Sequence, residues 1–162
     1  MRVWSGALFI VVCAAIAAPV GADPGPRVIE VDAAIDVGDL ADLELNDDVV
    51  AMATVDRGYG FAAADGGVFA FGDAGFHGSM GGVALNAPIV GMASTGSGAG
   101  YWLVAADGGV FAFGDAGFVG SIGDVGSASP IVGVAPSPLG AGYARLDRNG
   151  TIWRFPDRSA SA

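Results

Sequence analysis

The stretch AADGGVFAFGDAGF occurs twice without a change, as Ala63–Phe76 and as Ala105–Phe118, 42 positions apart. A strict internal period means that the chain builds one small unit several times, and that each unit buries its apolar surface against a neighbouring copy. The period reaches well beyond the duplicated residues. Tyr59, Tyr101 and Tyr143 keep it, as do Val68, Val110 and Ile152, then Phe69, Phe111 and Trp153, then Phe71, Phe113 and Phe155. Ile89-Val90-Gly91-Met92-Ala93 returns as Ile131-Val132-Gly133-Val134-Ala135, each preceded by a proline, Pro88 or Pro130. A fainter copy lies upstream at an offset of 40, where Gly38–Ala53 aligns with Gly78–Ala93 and Val28-Ile29-Glu30-Val31 with Val68-Phe69-Ala70-Phe71. The repeats therefore fill residues 28–155, after a short leader over 23–27 and before a C-terminal tail over 156–162.

Each unit reads as four short strands. In the second unit they are Ile89–Ala93, Tyr101–Ala105, Val110–Phe113 and Val119–Ile122, apolar runs bounded by Gly, Pro, Asp and Ser. Asp65-Gly66 and Asp107-Gly108 mark the hairpins between the second and third strands. Such a reversal needs a positive φ, which glycine adopts without steric cost, and an aspartate can bond the backbone N–H groups beside it. No segment sustains a helical period, so the fold class is all-β.

The third strand predicts how units meet. Along Val110-Phe111-Ala112-Phe113 successive side chains point to opposite faces, which puts two rings on one face and Val and Ala on the other. Both faces are apolar, so a large face is expected to pack on the small face of the next unit. The expected architecture is a β-propeller-like stack of about three four-stranded units of about 42 residues. The alternative is a β-trefoil, and a homodimer completing a six-unit ring is a further arrangement. At the ends the pattern turns polar: Glu30 and Arg154 stand where Ala70 and Ala112 stand, as capping residues or as a pair that closes a ring.

The chain opens with Arg2, an apolar run over Val3–Ala18 and a small-residue site Val20-Gly21-Ala22, the pattern of a signal peptide over residues 1–22. Secretion is the expected localisation. The one cysteine, Cys13, lies in that segment, so the mature chain carries no thiol chemistry, and no later apolar run is long enough to span a bilayer. The formal net charge is −10, with 17 acidic residues against seven arginines and no lysine. That balance repels phosphate backbones and excludes nucleic acid as a partner.

The units GYWLVAADGGVFAFGDAGFVGSIG and LNAPIVGMASTGSGAGYW resemble a repeat common in secreted actinobacterial proteins. There it occurs in tandem arrays, sometimes beside cell-wall hydrolase or esterase domains. The resemblance covers residues 28–155 and implies propeller-like blades, kelch-like in outline, without implying a defined biochemical role.

Candidate chemistry is sparse. His77 is the only histidine and stands where the second unit has Val119, so it lies outside the repeat framework. Ser79 is its nearest serine, and no nucleophile-elbow motif surrounds it. Asp65, Asp107, Asp73 and Asp115 recur unit by unit, which favours a turn role over a single active site. No metal-ligand set and no cofactor motif is present. The binding candidates are Trp102, Tyr101, Tyr59 and Tyr143, because aromatic rings stack on sugars or anchor peptides. Trp102 stands out because its counterparts are Gly60 and Ala144. The expected function is a non-enzymatic secreted module that binds cell-wall glycan, another surface polymer or a surface protein. The alternatives are a hydrolase-associated or weak hydrolase domain and a degenerate fragment of a longer array.

Overall fold

The structure, a computed structural model, describes residues 38–40, 43–121, 129–138 and 142–156. The signal segment, the strand expected at Val28–Val31, Glu30 of the proposed closing pair and the C-terminal tail beyond Pro156 lie outside these residues.

Among the described residues, nine strands form three separate antiparallel sheets, with no helix. The first sheet holds β1 (Val49–Val55), β2 (Gly58–Ala63) and β3 (Val68–Gly72). The second holds β4 (Ile89–Ser94), β5 (Gly100–Ala105) and β6 (Val110–Gly114), and the third β7 (Ile131–Pro136), β8 (Gly142–Asp147) and β9 (Ile152–Pro156). Each sheet runs in chain order with its middle strand paired on both sides. The 42-residue period survives at the level of register, since Tyr59 pairs Phe71, Tyr101 pairs Phe113 and Tyr143 pairs Phe155. Every first strand carries a bulge at the same place, between Val49 and Ala51, Ile89 and Gly91, and Ile131 and Gly133.

The chain reverses at both Asp-Gly pairs, through three-residue loops. The Gly67 N–H bonds the Asp65 carboxylate at 2.8 Å, and the Gly109 N–H bonds Asp107 at 2.8 Å. Gly66 and Gly108 follow at φ +85° and +90°, and the Ala63 and Ala105 N–H groups close three-residue loops onto Gly67 and Gly109 carbonyls at 2.9 Å. This is a turn followed by a left-handed glycine, the commonest way to close a three-residue hairpin.

Sheets stack through large and small faces. The ring face of the second unit (Tyr101, Leu103, Phe111, Phe113, with Met92) meets Ala53, Ala62 and Val68 of the first. Trp102, Val110 and Ala112 on the second unit's other face meet Tyr143, Phe155 and Val134 of the third. Contacts between sheets run from β1 to β4 to β7, and the described sheets do not close into a ring. At one end of each interface the Ile89 N–H bonds the Ala64 carbonyl and the Ile131 N–H the Ala106 carbonyl, both at 2.9 Å.

Among the described residues, no fourth strand forms beside β3 or β6. Residues 74–80 and 116–121 carry no strand, and Ile122 lies outside the described residues. The reason is where these segments spend their hydrogen bonds. The Met80 N–H goes to the Gly66 carbonyl at 2.9 Å, the His77 N–H to the Tyr101 hydroxyl at 3.1 Å, and the Gly78 and Gly120 carbonyls accept from Tyr101 and Tyr143. Backbone groups so committed are lost to a ladder beside β3 or β6.

Candidate functional site

The three tyrosines do one job in each unit. Tyr59, Tyr101 and Tyr143 donate to the Gly38, Gly78 and Gly120 carbonyls of the preceding segment. A Cβ on those glycines would meet the next unit's Phe71, Phe113 or Phe155 at 2.8, 2.6 or 3.0 Å, so the connecting chain lies flat on a Tyr–Phe pair. Tyr101 and Tyr143 are buried and Tyr59 is half-buried. Burial raises the Tyr101 hydroxyl above its ordinary pKa, against the lowering effect of its bonds to the His77 and Gly78 backbone. These rings tie units together and offer little surface to a ligand.

Trp102 is likewise an interior residue, 1% exposed, with its ring 5.4 Å from Tyr143 and its indole N–H on the Gly117 carbonyl at 2.8 Å. Its variation within the frame has a packing cause. Between the first and second units Gly60 faces Met92, and a Cβ there would lie 3.0 Å from the methionine methyl. Between the second and third, Trp102 shares its cluster with the smaller Val134, the counterpart of Met92. The larger side chain of the facing pair comes from the later sheet at one interface and from the earlier sheet at the other, and Trp102 is packed on all sides. The expectation that Trp102 marks a binding surface is therefore corrected.

Arg145 occupies the position of Phe61 and Leu103 and is 1% exposed. One guanidinium N–H reaches the Gly108 carbonyl, and the group lies 4.2 Å from the Phe155 ring centre, while Nε and Nη2 have no hydrogen-bond partner. Burial lowers its pKa, and the nearby Tyr143 works the other way.

His77 does not assemble a catalytic set with Ser79. The Ser79 hydroxyl accepts from the Gly81 N–H at 3.2 Å, and the buried His77 Nε2 has no partner. The imidazole packs beside Tyr101 at 5.7 Å between ring centres. Nearby, Thr95 and Ser97 of the loop before β5 donate to the two oxygens of Asp115, at 2.8 Å from Thr95. Those two hydroxyls, Ser97 first, hold the exposed carboxyl below the ordinary aspartate range. The chemistry is that of a pinned loop, since both hydroxyls are within hydrogen-bond reach of the carboxylate and of one another. Among the described residues no three His, Cys, Asp or Glu side chains gather as a metal site, and no helix is long and apolar enough to cross a membrane.

The exposed aromatic surface lies in the duplicated stretch itself. Phe76 and Phe118 hold the same place in their units and are 62% and 61% exposed, more than any other large hydrophobic residue among those described. Phe118 borders a groove of about 230 Å³ whose other lining includes Asn86, Asp107, Phe111 and Ser121. Sequence reasoning passed over these two phenylalanines because repetition alone reads as a packing demand. The available signal was position: each follows Gly-Asp-Ala-Gly, a turn segment outside the strand alternation that buries the other rings. No protein-family model matches the chain, and no curated protein matches it.

Proposed function

We propose that this chain is a secreted, non-enzymatic, propeller-like repeat module that binds a neutral surface polymer, with cell-wall glycan as the class its surface suits best. The blade reading rests on three sheets that share no strand and stack face on face with their first strands adjacent, whereas a trefoil joins its repeats in a common barrel. The binding reading is carried by one observation: two units present the same exposed phenylalanine, Phe76 and Phe118. Exposed rings next to hydrogen-bonding groups are the usual currency of sugar recognition, and Asn86, Asp107 and Ser121 surround the groove at Phe118. The acidity of the chain disfavours polyanions and leaves an uncharged polymer as the better match.

Retention of the mature chain on insoluble cell-wall glycan tests the reading. Retention of the native chain and its loss in Phe76→Ala/Phe118→Ala, with an unchanged melting temperature, is the expected result. No retention of the native chain, or equal retention of both, overturns it.

A further inference from the structure

We infer that the two outer faces of the three-sheet stack are the two halves of one interface, and that a second copy of this chain docks head to tail across them. The chain shows what this interface is. Wherever two units meet, the ring face of one covers the small face of the other, and the residues involved lose their exposure: Met92 falls to 7%, Val104 to 0% and Val68 to 8%.

Several of the same repeat positions at the ends are uncovered. On the outer face of the third unit, Leu146 stands where Val104 stands and is 41% exposed, and Ile152 stands where Val110 stands and is 54% exposed. Val132, the counterpart of Val90, is 44% exposed. Gly133 makes the comparison sharpest. A Cβ on its counterpart Gly91 would lie 2.8 Å from Val134 of the next unit, while a Cβ on Gly133 would meet nothing within 4 Å.

The first unit carries the opposite half. Met52 is the counterpart of Met92 and is 43% exposed, on a ring face where Phe61, Phe69 and Phe71 are half-buried and Gly38 lies against the Tyr59–Phe71 pair. Each end thus displays the half that the other end lacks. Adjoining exposed apolar side chains mark protein contacts, and a pairing of two different patches propagates or closes into a ring.

Arg154 brings a charge to the third unit's outer face, where Ala70 and Ala112 stand in the other units. The chain already shows how such a side chain is accommodated. Arg145 lies over the Phe155 ring between the second and third units, and Arg154 is set to lie over a ring of the incoming first unit in the same way.

Sedimentation velocity over rising concentration of the mature chain is the test. The native chain is expected to gain mass with concentration, and Met52→Glu and Ile152→Glu, both at exposed positions, each to reduce that association at least tenfold. Mixing the two variants is the decisive arm. One intact half remains on each, so the mixture is expected to form a complex of about twice the single-chain mass and to stop there. A native chain that stays monomeric, association that survives both substitutions, or a mixture no heavier than its parts overturns the inference. Cysteines at Met52 and Ala144, in a mature chain that has none, separate a second copy from self-closure. A disulfide formed within one chain also overturns it.

Discussion

The Tyr101 hydroxyl donates to the Gly78 carbonyl while accepting from the His77 N–H at 3.1 Å, so one side chain of the second unit satisfies two backbone groups of the segment leaving the first. Tyr101→Phe keeps the ring and removes both bonds. It is expected to cost about 1–3 kcal/mol, the penalty for stranding buried polar groups. Gly78→Ala is expected to cost more, because the residue sits at φ +132° with the Phe113 ring 2.6 Å from the new Cβ. Thermal unfolding of the two variants gives the order.

Trp102 and Val134 divide one volume between them, as Gly60 and Met92 do on the other side of the second sheet. Trp102→Ala is expected to destabilise by about 3–5 kcal/mol. Trp102→Gly with Val134→Met copies the other interface, and the second change is expected to recover about 1 kcal/mol of the loss. Denaturant titration of the cycle measures that coupling, and additive effects would refute the shared-volume account.

Arg145 is a buried cation with two of its nitrogens, Nε and Nη2, unspent. Its removal leaves the Gly108 carbonyl served by the Ser121 hydroxyl at 2.8 Å. Arg145→Leu, which copies Leu103, is therefore expected to raise stability by about 1–3 kcal/mol, because a desolvated charge is exchanged for an apolar side chain of the repeat. An equilibrium unfolding curve shifted to lower denaturant would contradict this.

Asp115 is held below the ordinary carboxylate range by Ser97 and Thr95. A depressed pKa in the folded chain contributes stability that is fully present above the unfolded value and is lost as pH falls through the folded one. Asp115→Asn is expected to lower the melting temperature at neutral pH and to match the native chain once both are acidified below that lowered pKa. A difference independent of pH would place the effect elsewhere.

What the sequence determined by itself was local or periodic. Its alternation set strand faces, its Asp-Gly pairs set hairpins, and its period set which face meets which. Each of these follows from neighbours along the chain or from one unit repeated, so a one-dimensional reading captures it. The all-β class and the packing of large faces on small ones were legible for that reason. Tertiary structure decided which rings are covered and which stand free. Tyr101 and Phe118 are both aromatic residues of the same unit, yet one is clamped under a glycine carbonyl and the other faces water. Trp102 looked like a functional exception until Val134 lay beside it, because complementary volumes sit on different strands, 32 residues apart. The missing fourth strand has the same origin. Residues 77–80 hold the repeat position of the expected fourth strand, but their hydrogen bonds are taken by a tyrosine and a hairpin that only the folded stack brings within reach.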